Sequence, residues 1–199
     1  MINKKEQLVS DFNRFFNDIL DESVDLYDKL STKKFVELKK VISCINNIIT
    51  MQVTEQFVAF LEHRHIIDSK QKDQILNQIN AVNANSNGYD IQYSGKILNG
   101  KGLLAEVKCN IPVNAKSFGA AQQAGIIKDI NGLMSGKTKS SIDNIASYYK
   151  FMVFLDGDRV QDAVDKLLKS KPNIRTAIFP ADIRELNTET VYIVILPID

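Results

Sequence analysis

The chain has 199 residues, enough for one sizeable domain or two small ones with a buried core. Hydrophobic residues make up 44% and charged residues 25%, which excludes a disordered chain, a collagen and a coiled-coil rod. The net charge is +1, but residues 81–150 carry eight Lys or Arg against four Asp or Glu. A basic middle third favours a phosphate-bearing partner, or is simply a solvated surface.

The apolar runs and the cysteines together predict where the protein resides. No run approaches the roughly 18 apolar residues of a membrane span, and the first residues show no signal-peptide core or cleavage site. Two cysteines, Cys44 and Cys109, are too few to staple a secreted fold. We therefore expect a reduced, cytoplasmic protein with no membrane partner.

Residues 1–87 contain neither glycine nor proline, the strongest helix breakers, and are predicted to be helical. Apolar side chains recur every three or four positions over Phe12–Tyr27, which indicates one buried stripe. A second helix is expected after Ser31-Thr32, with an apolar pattern that continues over Phe35–Leu61. Asp68 is expected to cap a shorter third helix.

Beyond residue 87 the pattern becomes that of a mixed sheet. Strands Tyr89–Leu98 and Leu103–Ile111 are joined by Asn99-Gly100-Lys101-Gly102, whose Asn-Gly pair tolerates the positive φ of a tight hairpin turn. The pattern then predicts a helix at 117–134, a strand at 151–155, a helix at 158–169 and strands at 175–179 and 191–196. This order predicts an α/β (α+β) fold, with an N-terminal helical layer packed on a mixed central sheet with flanking helices.

The chemically informative residues lie on the predicted hairpin. Side chains alternate along a strand, so Glu106 and Lys108 project from one face while their apolar neighbours face the other. Asp90 opens the neighbouring strand and is expected near Glu106 on the same face. Two carboxylates that meet there offer hard oxygens, which suit Mg²⁺ or Mn²⁺ and not Zn²⁺. A lysine two positions on would stabilise charge on a phosphoryl group or help to activate water.

This arrangement resembles the PD-(D/E)XK nuclease superfamily, the fold of many type II restriction endonucleases. The resemblance covers the hairpin and the helix and strand that follow it. It implies that Asp90 and Glu106 bind Mg²⁺, for which Mn²⁺ can substitute, with the Val107 carbonyl as an extra ligand. It also implies that Lys108 aids the attack of water. The family's motif has proline before the aspartate, where this chain has Tyr89.

The resemblance implies further residues outside the motif. Family members often add a glutamate from a helix before the sheet, for which Glu55 is the candidate and Glu62 the second choice. Lysines of the basic middle third are candidates for contacts with DNA: Lys116, Lys128, Lys137 and Lys139. Residues 1–199 would form a single domain, with a helical subregion at 1–84 and an α/β catalytic core at 85–199.

The predicted function is that of a Mg²⁺-dependent endodeoxyribonuclease, a type II restriction endonuclease that cuts a specific site in double-stranded DNA as a homodimer. Two alternatives share the fold: a non-catalytic DNA-binding or assembly protein, and a non-specific nuclease of repair or phage defence. The residues alone also allow a plain surface hairpin, in which Glu106 and Lys108 form ordinary ion pairs. The chain would then be a helical interaction protein.

Two other patterns are interpreted as structural. Ser135-Gly136-Lys137-Thr138 ends like a phosphate-binding loop, but the preceding residues are predicted to be helical and the first glycine of that motif is replaced by Asn131. His63-Arg64-His65 has no second pair of ligands at a usable spacing, so a zinc site is not expected.

Overall fold

The computed structural model describes residues 4–81, 88–112, 117–138, 140, 142–157 and 159–198. It has the mixed α/β fold class that the sequence predicts, with helices and one five-stranded mixed sheet. The chain divides into two compact units, Met1–Ile45 and Asn46–Asp199. The helices of residues 1–84 are therefore shared between the two units. Across the described ranges, no helix is both long enough and apolar enough to cross a bilayer.

The first unit contains helices α1 (Lys4–Leu20), α2 (Leu26–Lys29) and α3 (Thr32–Ile42). Side-chain oxygens of Asp25 and Ser31 accept hydrogen bonds from the first turns of α2 and α3, as helix caps do. The rings of Phe12 and Phe35 lie 5.3 Å apart and join α1 to α3. No residue described in this unit is buried, so its apolar stripe is only half covered.

The second expected helix is interrupted between residues 42 and 45, and this part of the prediction was wrong. Helix α3 ends at Ile42 and α4 (Ile45–His63) begins three residues later. The Ser43 hydroxyl donates a hydrogen bond of 2.6 Å to the Lys40 carbonyl, and the Cys44 N–H donates to Val41 O. A serine that bonds back to the preceding turn competes with the continuing helix, although no glycine or proline marks the break.

The sheet contains β1 (Ile91–Tyr93), β2 (Gly102–Lys108), β3 (Tyr148–Leu155), β4 (Thr176–Ile178) and β5 (Val191–Leu196), in the order β1-β2-β3-β5-β4. β1 is antiparallel to β2 and the other neighbours are parallel. The hairpin turn is confirmed, because Asn99 and Gly100 have φ values of +53° and +69°. β1 is shorter than predicted: it ends at Tyr93, and farther along the chain the Leu98 N–H donates to Ile66 O and not to β2.

Helices cover both faces of the sheet. Helices α4 and α5 (Ser69–Asn80) pack on the face that carries Leu103, Ala105 and Val107. Helices α6 (Ala120–Ser135) and α7 (Val160–Lys169) pack on the opposite face, which carries Leu104. Glu106 and Lys108 share the face of Leu104 by strand alternation, so α6 is the helix that lies against them.

Candidate active site

A groove of about 1510 Å³ opens where β1 and β2 meet the ends of α4, α5 and α6. Its described lining includes three carboxylates and three ammonium groups, which balance one another when all are ionised: Asp90, Glu106, Asp129, Lys108, Lys128 and Lys137. The sequence predicts roles for five of these residues: Asp90, Glu106 and Lys108 at a nuclease site, and Lys128 and Lys137 at its DNA contacts. It did not predict Asp129.

Asp90 and Glu106 lie opposite each other. The antiparallel register pairs Ile91 with Ala105, so Asp90, the residue just before β1, lies across from Glu106 of β2. Asp90 Oδ2 accepts a 2.7 Å hydrogen bond from the Val107 N–H. The N–H and C=O of one strand residue point to the same side, so the Val107 carbonyl also faces the edge that Asp90 occupies. Asp90, Glu106 and Val107 thus all line the same groove.

The carboxyl group of Glu106 is held in an unfavourable environment for a negative charge. Glu106 is 4% exposed, and desolvation together with the charge of Asp90 raises its pKa to about 7. Desolvation also raises the pKa of Asp90, against the hydrogen bond from Val107 that lowers it. Asp90 is exposed, unlike Glu106, so water screens its charge. A nearby cation would lower the free energy needed to ionise Glu106.

Two ion pairs neutralise the site in this structure. Lys137, which follows the end of α6, pairs with Glu106. Lys108 Nζ lies 2.5 Å from Oδ2 of Asp129 on α6. Burial acts to lower the pKa of Lys108, but the hydrogen bond and charge of Asp129 outweigh it and raise that pKa. Lys108 is therefore held as a cation, with its ammonium group fixed against the helix.

Tyr89 anchors the residue that carries the second cation. Its hydroxyl donates to Gly132 O at 2.8 Å and accepts from the Lys137 N–H at 3.1 Å. Lys137 Nζ also donates to Gly88 O at 2.8 Å and lies 5.1 Å from the centre of the Tyr89 ring. The backbone of Lys137 is thus tied to the start of β1, while its side chain reaches into the groove.

Glu55 does not join the cluster. It is exposed on α4, whose groove-lining residues are instead Asn47, Thr50, Met51 and Thr54. Glu62 forms a 2.7 Å ion pair with Lys72 and likewise lies outside the groove lining. Their positions give no support to a role for either glutamate in binding the same ion as Asp90.

The four lysines expected at DNA fall into three groups. Lys128 is exposed and lines the groove. Lys137 lies deeper, among the carboxylates. Lys116 and Lys139 lie outside the described residues. Lys137 also follows the C-terminal glycine of a helix, Gly136 with φ +90°, which agrees with the interpretation that this segment is not a nucleotide-binding loop.

A sequence signal for Asp129 exists in the pattern of α6. The buried residues of α6 are Ile126, Ile130 and Leu133. Asp129 is three residues after Ile126 and four before Leu133, so it lies on the same side of the helix. An acidic residue within an otherwise apolar helix face needs a buried partner. The preceding strand offers one in Lys108, and the strand–helix connection brings the two together.

Among the described residues, no group of three or more His, Cys, Asp or Glu side chains is placed to hold a metal ion by itself. The donor set at the groove is two carboxylates and a main-chain carbonyl. In comparisons with protein-family models, with curated proteins and with solved structures, we found no significant match to this chain.

Proposed function

We propose that this protein is a Mg²⁺-dependent endodeoxyribonuclease of the type II restriction endonuclease kind. The observation that carries the proposal is the presence of Asp90, Glu106 and Lys108 together in one groove, where β1 meets β2. The resemblance to the PD-(D/E)XK superfamily rests on the same three residues and on the order of the elements around them.

The donor chemistry fits a hard divalent cation. Asp90 and Glu106 would hold Mg²⁺ together with the Val107 carbonyl, and waters and a phosphate oxygen would complete the shell, as is usual for this ion. Glu106 is buried beside a second carboxylate, so it gains from a positive neighbour. When bound, the ion would lower the pKa of a coordinated water and offset charge on the scissile phosphate.

Lys108 is suited to charge stabilisation. Its raised pKa keeps it protonated at neutral pH, which favours orienting the attacking water and stabilising the developing phosphorane charge over removing a proton. Asp129 fixes the ammonium group in position. We therefore assign Lys108 as a cationic catalytic residue and Asp129 as its positioning residue.

The test is incubation of supercoiled plasmid with the purified protein, with and without Mg²⁺. We expect linear or fragmented DNA only with the ion, and no product from Glu106→Ala or Lys108→Ala. Glu62→Ala, which removes a carboxylate outside the groove, is the matched control and should cut normally. Cleavage that persists in both site variants would reject the assignment. Discrete fragments indicate a specific site, and a smear indicates a non-specific nuclease.

A non-catalytic DNA-binding protein of the same fold is the second candidate. The observation in its favour is that Glu106 and Lys108 each have an ion-pair partner, so the groove is neutral as it stands. That candidate predicts DNA binding that weakens with salt, with no Mg²⁺-dependent cleavage at any protein concentration.

We also propose that the protein is a homodimer in the cytoplasm and that the first unit forms the contact. Segment 11–28 carries six acidic residues and one basic, and segment 29–40 carries five basic and one acidic. Such opposite segments can pair across a two-fold axis. The same unit exposes large apolar side chains: Phe15, Ile19, Val36 and Val41 are each half exposed or more.

Sedimentation velocity tests the dimer. The double variant Ile19→Asp and Val41→Asp should sediment as a monomer, because it places charge on the half-covered apolar stripe. Ile178→Asp, at an exposed residue of β4 in the second unit, is the control and should remain dimeric. A wild-type protein that is monomeric at micromolar concentration would reject the proposal.

A further inference from the structure

We infer that Lys137 is an internal counter-ion that exchanges partners, pairing with Glu106 when no divalent cation is present and with a DNA phosphate when one is bound. The inference rests on the proposed function and adds a coupling between ion binding and DNA binding. It assigns to Lys137 a role distinct from that of Lys108.

The first argument is competition for one carboxylate. Lys137 is paired with Glu106, which is 4% exposed and has little room for a second cation. An ammonium group and a divalent ion repel each other strongly at the short distances of a partly desolvated site. Lys137 must therefore leave Glu106 when the ion arrives.

The second argument is that only the side chain needs to move. The Lys137 N–H is fixed by the Tyr89 hydroxyl, which is itself bonded to Gly132 O. Beyond Cα the lysine side chain has four rotatable bonds. Gly132 lies beneath this side chain, since an added Cβ there would be 3.2 Å from Lys137 Cγ, so no side chain of its own separates the lysine from the backbone of α6.

The third argument is that a second partner lies within reach. Lys137 Nζ is 3.9 Å from Oδ1 of Asp129, which already holds Lys108. A displaced ammonium group thus stays in the groove, whose lining also includes the exposed Lys128. The groove then carries a net positive charge, because the bound ion adds two charges to a balanced set. A phosphate is the ligand that such a pair of lysines would bind.

Amine labelling read out by mass spectrometry tests the exchange on the wild-type chain. Saturating Mn²⁺, established by calorimetry on the same sample, should raise labelling of Lys137 by about fivefold or more, the scale of a typical coupling between two ligands. Lys128, exposed in the same groove, is the internal control and should change little. Duplex DNA added to the Lys108→Ala variant with Mn²⁺ should suppress labelling of Lys137 again.

The outcomes separate the two proposals. If Mn²⁺ binds and Lys137 labelling does not change, the partner exchange is wrong while the metal site stands. If calorimetry detects no Mn²⁺ binding to the wild-type protein, both the metal site and the exchange are rejected. If labelling rises with Mn²⁺ but DNA gives no protection, Lys137 is displaced without binding phosphate, and the proposed coupling is overturned.

Discussion

Lys108 and Asp129 form an ion pair that joins β2 to α6, with Nζ and Oδ2 2.5 Å apart. The pair is partly buried, so it has less competition from water than a surface pair has. It links the candidate catalytic lysine to a helix that is itself fixed by Ile126, Ile130 and Leu133 in the core. The position of the ammonium group therefore depends on a residue outside the sequence motif.

Asp129→Asn should show whether Asp129 positions Lys108, because the substitution preserves the packing of the helix. The amide keeps the size of the side chain but loses its charge, so Lys108 is held less firmly and its pKa falls toward the ordinary value. We expect Mg²⁺-dependent cleavage to slow by about tenfold, equivalent to about 1.4 kcal/mol, with little change in DNA affinity. Asp73→Asn, at an exposed residue of α5, is the control. Equal rates for the two variants would contradict the role of Asp129.

Glu106 predicts how stability depends on pH. Its pKa is raised from an ordinary 4.5 to about 7, so the folded chain binds this proton more tightly than the unfolded chain. The free energy of unfolding should therefore fall as pH rises from about 4.5 to about 7, by about 3 kcal/mol for the full shift. Glu106→Gln lacks this titration and should gain stability relative to the wild type over that range. The glutamine carries no charge, so the variant lacks the ion pair with Lys137 at every pH.

Denaturant unfolding at several pH values checks this expectation. The difference between Glu106→Gln and the wild type should grow with pH and level off above about pH 8. Glu55→Gln, at an exposed residue of α4, is the matched control. Curves for Glu106→Gln and the wild type that run parallel across the range would contradict the burial of an ionisable carboxyl group at this position.

Two glycines of α6 form a matched pair. A Cβ at Gly125 meets nothing within 4 Å, whereas a Cβ at Gly132 would press on the Lys137 side chain. Gly125→Ala should raise the free energy of unfolding by about 0.5–1 kcal/mol through helix propensity. The free energy of unfolding of Gly132→Ala should be about 1 kcal/mol below that of Gly125→Ala, because the added methyl group weakens the contact between Lys137 and Glu106. Urea unfolding of the two variants measures the difference, and equal gains would show that Lys137 adjusts freely.

At the hairpin turn, replacing a glycine by alanine should lower stability, the opposite of the effect expected at Gly125. Gly100 has φ +69° and space for a Cβ, so only the backbone conformation opposes a side chain there. Gly100→Ala should lower the free energy of unfolding by about 1–2 kcal/mol. Thermal unfolding should show a lower melting temperature for Gly100→Ala and a higher one for Gly125→Ala. A neutral result would mean that the turn changes conformation without effect on the adjoining strands.

Local patterns predicted most of the secondary structure because local physics determines it. The cap at Asp68 was confirmed in full, since its side chain and that of Gln71 form a reciprocal capping box at the start of α5. The strands at 151–155 and 191–196 were predicted from their apolar runs, and both are central strands covered on two faces. Asn99-Gly100 likewise predicted the hairpin, because the turn depends on how readily these two residues adopt positive φ.

Tertiary contacts account for what the sequence did not predict. Lys137 lies 31 residues after Glu106, and no local periodicity relates a lysine beyond the end of a helix to a glutamate on the preceding strand. The place of Glu55 on a helix before the sheet makes it a candidate, but the rotation of that helix decides which residues reach the groove, and α4 directs Thr50 and Thr54 there instead. A motif identifies chemistry along the chain, whereas the orientation of neighbouring helices decides its surroundings.

The bond from Val107 to Asp90 has a consequence for the edge of the sheet. β1 is three residues long, and just beyond it a side-chain carboxylate, not a peptide carbonyl, receives the next N–H of β2. An extended peptide from another molecule could add at that position only by expelling Asp90 from its place. The same acidic group proposed to serve hydrolysis thus also occupies a position where another strand could pair, so we expect its removal to favour aggregation as well as to abolish the proposed activity.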